Sequence, residues 1–449
     1  MKIQLLRQHS TCIDAHASTT ARRKTRPSIG LEIHAKKHCI SPYNLIELMH
    51  YRTHSREARQ GMQKMQSKKN AAAKERIMFD TNKYKDLWKY LRGESRPVVL
   101  YGGGNGADKV LDRCLELGLE VRGIFASDGF TQKADGRRRQ FRSMTVLSLA
   151  ELETMYPEND YAVLLCFGSS LPDIIGAVER VAERHELYVP DMPVTDEKEI
   201  FDAALCRKNA DRLRAARELL ADDESRMLYD RLITARLSGS LPALLSAASD
   251  ECNRWKPFSP ESYRAAADLG AYSGDTAREL LTVSPRLERL YAFEPDSRTR
   301  RRLARTVDGL NAEYPSCAID TVTAAAWSTD GSLAFTAHGN RGSGGFRPSS
   351  PNDRDEDIID ARALDSVLDG AHVDYIKYDV EGCEREALLG SADTIRRCLP
   401  ELRLSLYHRP CDMWELPLLL HDICPEYRMH LFRPRCLPAW ETELCAAAR

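Results

Sequence analysis

The stretch Asp268-Leu-Gly-Ala-Tyr-Ser-Gly-Asp-Thr276 follows an apolar run that begins at Tyr263, and it precedes a short segment with helical spacing. Twenty positions after Gly274, a second apolar run ends at Glu294. Glycines at a strand-to-helix turn let the backbone pass close to a ligand, and a carboxylate at the tip of the next strand can accept both hydroxyl protons of a ribose. This order predicts a wound α/β unit that binds a nucleoside.

The charges around the turn indicate which kind of ligand it binds. A dinucleotide places its pyrophosphate at the helix N-terminus, but Asp268 and Asp275 flank the turn and would repel phosphate. A ligand that carries a ribose and a positive charge fits better. S-adenosylmethionine is such a ligand.

Further short motifs follow in the same part of the chain. They are Phe293-Glu294-Pro295, Leu364-Asp365, Tyr375-Ile-Lys-Tyr-Asp-Val-Glu-Gly382, Leu389-Gly-Ser-Ala392, Ser405-Leu-Tyr-His408 and Trp440-Glu441-Thr442. With the glycine turn, this ordered set resembles the FkbM-type methyltransferases over about Tyr263 to Arg449. The most specific piece is the Ile-Lys-x-Asp-Val-Glu-Gly motif followed by Leu-x-Gly.

The resemblance implies a class I methyltransferase with a seven-stranded sheet, which transfers a methyl group from S-adenosylmethionine to a hydroxyl of a sugar, glycan or related natural product. It also implies that Asp268, Gly270 and Gly274 line the methionine side of the cofactor. By the same resemblance, Thr276 belongs to the cofactor site and Glu294 holds the ribose. A polar insert, 338–357, falls where the family varies. The resemblance therefore does not identify the acceptor substrate.

The chemistry indicates which further residues matter. The sulfonium is already activated, so the protein must align the reactants and help remove the acceptor proton. Asp379 and His408 lie where carboxyl ends of strands converge on the ligand, and we expect one of them to act as base. Glu381 either pairs with Lys377 or meets the substrate. Asp379 and Glu381 are equally explained as caps of the following helix, and His408 as a hydrogen-bonded core residue.

The N-terminal half predicts a second wound sheet of Rossmann-like type. Val98–Tyr101 and Val121–Phe125 read as strands on either side of a glycine turn and a helix. Gly102, Gly104 and Ala107 satisfy a loose G-x-G-x-x-A fingerprint, with Asp128 near the place of a ribose acid. An NAD-dependent nucleotide-sugar oxidoreductase or epimerase is therefore an alternative function, and a non-catalytic cofactor-binding protein is a third.

Four regions follow from these patterns. The Rossmann-like domain spans 78–200, an Ala/Leu/Arg/Glu-rich helical connector spans 201–260, and the methyltransferase domain spans 261–449. Residues 2–76 contain sixteen Lys/Arg and five Asp/Glu without sustained apolar periodicity. We expect residues 1–77 to be a disordered extension, or a stretch upstream of a true start at Met78. A basic arm for nucleic acid or an anionic surface is the alternative.

Composition excludes several classes of protein. The 65 basic and 66 acidic residues give a net charge of −1, which argues against a nucleic-acid partner. No apolar run predicts a membrane span or a secretory signal. The thirteen cysteines form no CxxC pair, which argues against a disulfide framework and a zinc site, and no His/Asp/Glu spacing predicts another metal. We expect a cytoplasmic protein.

Overall fold

A computed structural model of the 449-residue chain describes residues 85–94, 96–127, 129–195, 197–337, 344–348 and 357–448. The predicted extension 1–77, Asp128 and most of the polar insert lie outside these residues. The described residues fall in one compact unit. Within the described part of the chain, no helix combines the length and apolarity that a membrane span requires.

The N-terminal half forms a six-stranded sheet with strand order β3-β4-β2-β1-β5-β6, parallel except for β3. Buried apolar runs form its centre, since β1 and β5 are buried at every position. Five of its six strands run parallel, an arrangement compatible with the Rossmann-like domain, which stays a prediction. The elements are α1 (Leu87–Glu94), β1 (Val98–Tyr101), α2 (Asn105–Glu116), β2 (Val121–Phe125), β3 (Gln140–Phe141), β4 (Met144–Leu147), α3 (Leu149–Met155), β5 (Ala162–Leu165), α4 (Pro172–Ala182) and β6 (Leu187–Tyr188).

The predicted connector is helical. Asp202 and Asp222 cap its first and third helices by accepting backbone N–H groups, and Gly239 ends the third helix with a φ of 62°. Gly239 therefore closes the longest helix of the connector. The helices are α5 (Ala203–Lys208), α6 (Ala210–Leu219), α7 (Asp223–Ser238) and α8 (Leu241–Ser246).

The C-terminal half forms a seven-stranded sheet with strand order β9-β8-β7-β14-β15-β17-β16. Within this sheet β17 runs opposite to the other six strands. This is the sheet of a class I methyltransferase, so the predicted fold class is confirmed. The elements are β7 (Ala265–Leu269), α9 (Asp275–Val283), β8 (Arg289–Phe293), α10 (Ser297–Glu313), β9 (Ala318–Val322), β14 (Tyr375–Tyr378), α12 (Glu384–Leu389), α13 (Ala392–Cys398), β15 (Glu401–Ser405), α14 (Asp412–Ile423), β16 (Tyr427–Phe432) and β17 (Glu443–Ala448).

A smaller four-stranded sheet is inserted between β9 and β14, with order β10-β13-β11-β12. Its edge strand β12 comes from the middle of the polar insert and pairs antiparallel with β11. The elements are β10 (Ala325–Ala326), β11 (Gly331–Ala337), β12 (Gly344–Pro348), β13 (Asp357–Arg362) and α11 (Leu364–Leu368).

One hydrophobic cluster runs through both halves. It includes Val99 and Leu165 of the first sheet, Leu232 of the connector, and Ile376 and Leu404 of the second sheet. The two sheets and the connector therefore share this cluster, and each half also buries a further cluster of its own.

Candidate functional site

The turn between β7 and α9 is built on residues with positive φ: Gly270 at 92°, Tyr272 at 50° and Gly274 at 83°. Gly270 donates its N–H to the carbonyl of Phe293, at the end of the neighbouring strand β8, over 3.2 Å. A side chain at position 270 would overlap the backbone carbonyl of Asp379, which follows β14. Glycine is therefore required at 270, where the turn passes against the end of β14.

Glu294 follows β8 and is 7% exposed. Its Oε2 accepts the backbone N–H of Tyr272 and its Oε1 that of Asp296, both at 2.9 Å. These two bonds fix the orientation of the carboxylate at the strand end. Since each carboxylate oxygen has two lone pairs, the group can still accept hydroxyl protons from a ligand.

Asp268 and Thr276 flank the turn and are both buried. Asp268 lies in register with Lys377 on β14, and the Lys377 Nζ is 3.8 Å from Asp268 Oδ1. Burial lowers the pKa of Lys377, but the carboxylates of Asp379 and Asp268 outweigh it and raise the pKa above its ordinary value. Lys377 therefore stays charged, and Asp268 is its internal counter-ion.

Asp379 lies one residue beyond β14 and is held by three side-chain donors. Its Oδ2 accepts Lys377 Nζ, and its Oδ1 accepts Ser405 Oγ and Tyr407 Oη, each at 3.1 Å. The prediction left open a pairing of Lys377 with Glu381. The structure instead pairs Lys377 with Asp379 and Asp268.

His408 follows β15 and is 1% exposed. Its Nε2 lies 3.6 Å from Asp379 Oδ1 and 3.6 Å from Glu381 Oε2, and its Nδ1 lies 2.9 Å from Glu384 Oε1. The three residues predicted for catalysis are therefore brought together. Glu384 joins them and was missed.

The three carboxylates control the charge of the imidazole. Burial lowers the pKa of His408, whereas Glu384, Glu381 and Asp379 raise it, and the net result is a pKa of about 10. The ring is therefore protonated at neutral pH. A general base must be unprotonated, so without another cation His408 acts here as a positive charge and not as a base.

Glu384 is the first residue of α12, and its Oε1 accepts the backbone N–H groups of Val380 at 2.9 Å and Gly382 at 3.4 Å. The N-cap position of this helix is Cys383, so neither Asp379 nor Glu381 occupies it. The sequence did contain a signal for Glu384, namely a further acidic residue close to Glu381. It stands three positions after Glu381, at the point where a helix was expected to begin.

The N-terminal half also borders this cluster. The N–H of Val194 donates to the carbonyl of His408 at 3.1 Å, and Arg409 Nε is 3.1 Å from Glu197 Oε1. A side chain at Gly382 would overlap Thr195. Local patterns in the sequence carry no signal for these contacts, because about two hundred positions separate the partners.

Residues 268–432 match the family described as the Methyltransferase FkbM domain. Among solved structures, a methyltransferase FkbM from Methylobacillus flagellatus KT is similar, with a TM-score of 0.59 and 17% identity, over 85% of this chain and 98% of that one. The Aeropyrum pernix fibrillarin bound to S-adenosyl-L-methionine is more distant, with a TM-score of 0.26 and 14% identity over 42% of this chain and 69% of that one. A comparison with curated protein sequences finds no match.

The residues at the turn fit S-adenosylmethionine. The fixed carboxylate of Glu294 suits a ribose, and a turn that holds Asp268 and Asp275 suits a cationic ligand better than a phosphate. The family match covers the turn, Glu294 and the residues around Asp379 and His408. The chain therefore carries a methyltransferase FkbM domain at residues 268–432, and it is a methyltransferase with a glycine turn whose residues fit S-adenosylmethionine.

Proposed function

We propose that the chain transfers a methyl group from S-adenosylmethionine to a hydroxyl oxygen of a sugar, glycan or related natural product. One observation carries the proposal. The glycine turn that follows β7 lies directly against the backbone of Asp379, whose side chain belongs to the cluster at the ends of β14 and β15. The turn, which suits the cofactor, therefore lies next to the cluster, which suits an acceptor hydroxyl.

On the cofactor side, we assign the ribose to Glu294 and the methionine portion to Asp268, Gly270, Gly274 and Thr276. When bound, the cofactor supplies an electrophilic methyl group. The two glycines let the backbone approach it, while the buried Asp268 adds negative charge near a cationic ligand.

On the acceptor side, a sugar hydroxyl is a weak acid and needs a base as its oxygen attacks. Glu381 is 39% exposed, more than its neighbours in the cluster, and we assign it the contact with the acceptor. Asp379 receives the proton in this proposal. The protonated His408 stabilises the negative charge that develops on the acceptor oxygen.

We further propose a cytoplasmic location. All eleven cysteines in the described residues are free, and most are buried. Free thiols in such number are typical of a reducing compartment.

Calorimetric titration of the full chain with S-adenosylmethionine tests the cofactor side. We expect Glu294→Gln to weaken binding at least tenfold, about 1.4 kcal/mol, because an amide nitrogen replaces one carboxylate oxygen that accepts hydrogen bonds. Glu288→Gln is a matched control, because its carboxylate lies just before β8 and is 61% exposed.

A panel of hydroxylated sugars and glycans tests the acceptor side. We expect a product heavier by one methyl group, detected by mass spectrometry, and loss of that product in Asp379→Asn. Cofactor binding with no turnover on any hydroxyl acceptor would contradict the proposed reaction. Binding of NAD in place of S-adenosylmethionine would move the chemistry to the first sheet.

A further inference from the structure

Four titratable side chains meet where β14 and β15 end. One ligand atom from each of Asp379, Glu384 and His408 lies within 4.8 Å of the other two, and Glu381 Oε2 is 3.6 Å from His408 Nε2. The spacing of these residues in the sequence did not predict a metal site. The cluster arises because neighbouring parallel strands deliver their carboxyl ends to one edge of the sheet.

The buried atoms of the cluster are not all satisfied. Glu384 is 1% exposed, and its Oε2 has no hydrogen-bond partner among the described residues, although its Oε1 accepts two backbone N–H groups. The nearest carboxylate oxygens to His408 Nε2 stand 3.6 Å away, beyond a normal hydrogen bond. His408 Nδ1 lies 2.9 Å from Glu384 Oε1, and it too is buried without a hydrogen bond among the described residues. A cation bound to Nδ1 and to Glu384 would satisfy both buried atoms.

Negative charge exceeds positive charge at this point. Three carboxylates surround a single imidazole, and the adjacent cations do not balance all of this negative charge. Lys377 lies between Asp379 and Asp268, and Arg409 pairs with Glu197. A bound cation would balance the remaining charge.

The loop that supplies these ligands is held in place. Glu381 and Gly382 both have positive φ, 56° and 96°, and Gly382 packs against Thr195 of the N-terminal half. A non-glycine residue rarely adopts this conformation, so the surrounding structure must enforce it. The conformation places the half-exposed Glu381 at the open side of an otherwise buried cluster.

We propose that Asp379, Glu384 and His408 bind one divalent transition-metal cation, with Glu381 beside His408 Nε2 at the exposed side of the site. Imidazole together with carboxylates suits Mn²⁺, Fe²⁺, Co²⁺ or Zn²⁺ better than Mg²⁺ or Ca²⁺, which prefer oxygen ligands. The cation takes the place of the imidazolium proton as the positive charge enclosed by the carboxylates. Its role rests on the proposed function: it would stabilise the negative charge that develops on the acceptor oxygen, the part that protonated His408 takes when no metal is bound.

Binding of Mn²⁺ to the full chain, after treatment with EDTA and without cofactor or acceptor, tests the site. The electron paramagnetic resonance signal of free Mn²⁺ reports the bound fraction. We expect one saturable site per chain that Zn²⁺ displaces and Mg²⁺ does not. Glu384→Gln and His408→Gln should each weaken binding at least tenfold, while Glu386→Gln, whose carboxylate pairs with Arg385 on the same helix, should leave it unchanged.

Because Glu384 and His408 are buried, circular dichroism must show that their variants fold. Glu381→Gln, at the exposed side, provides the decisive variant if they do not, with an expected loss of about fivefold. The proposal is overturned if the folded chain shows no saturable Mn²⁺ binding, or if binding is unchanged in every folded variant of the cluster. The Mn²⁺ experiment contains no S-adenosylmethionine, so neither of these results bears on the proposed methyl transfer. The panel of hydroxylated acceptors tests that reaction separately.

Discussion

At position 270 the backbone has a φ of 92°, and the Cα faces the carbonyl oxygen of Asp379. Glu294 is similarly constrained, because two backbone N–H groups hold its carboxylate. Both residues were predicted from the order of strand, glycine turn and acid alone. Their roles depend on local backbone geometry, which a short motif can specify.

Gly270→Ala tests this constraint. The new methyl group would overlap Asp379 and force an L residue into a left-handed conformation, so we expect the free energy of unfolding to fall by at least about 2 kcal/mol. Denaturant unfolding followed by circular dichroism measures it. Gly309→Ala is the control, because position 309 lies inside α10 with no atom within 4 Å of an added Cβ. That variant should be neutral or stabilised by up to about 1 kcal/mol. Equal stability of the two variants would contradict the close approach of Gly270 to the carbonyl of Asp379.

At the scale of elements, continuous apolar runs predict strands well. The predicted bounds of β1 and β2 are those observed. The strands β16 and β17 were missed. Glu443-Leu-Cys-Ala-Ala-Ala448 contains no β-branched residue, and alanine favours helix, so only pairing with β15 and β16 makes this segment a strand.

The edge strand β16 is covered by the connector. Asp222 caps α7 through the N–H of Ser225 at 2.7 Å, and its Oδ2 lies 2.6 Å from His430 Nδ1 on β16. The N–H of Ala221 also donates to the carbonyl of Met429. The cap therefore ties a helix to a sheet edge that would otherwise be open.

Asp222→Ala removes both the cap and the contact with β16. We expect a loss of about 1–2 kcal/mol in the free energy of unfolding, measured by urea denaturation. Asp223→Ala, one position later and 55% exposed, should cost less than about 0.5 kcal/mol. If the free energy of unfolding falls equally in the two variants, then the cap at Asp222 does not anchor the connector.

At the scale of the whole molecule, the N-terminal half supports the cluster at the ends of β14 and β15. Lys109 on α2 donates from its Nζ to the carbonyls of Pro193, Val194 and Thr195, at 2.9, 2.9 and 2.8 Å. The N–H of Val194 in turn donates to the carbonyl of His408. The N-terminal half thereby positions residues 193–195 beside the predicted catalytic residues.

Lys109→Met keeps the length of the side chain but removes all three hydrogen bonds. We expect about 2 kcal/mol of lost stability and a severalfold lower rate of methyl transfer, with the affinity for S-adenosylmethionine unchanged because the glycine turn is not touched. Lys133→Met, at an exposed position, is the control. A variant with normal turnover would show that the segment 193–195 does not position the cluster.

The sequence by itself determined the two wound sheets, the glycine turn and the acid at 294, because these depend on neighbouring residues and on apolar periodicity. Only the tertiary structure decided that Glu384 joins Asp379 and His408, and that residues 193–195 lie beside them. The physical reason is distance along the chain. Strand pairing and a shared core bring together groups whose separation in sequence leaves no periodic signal, and burial among those groups then sets their charges.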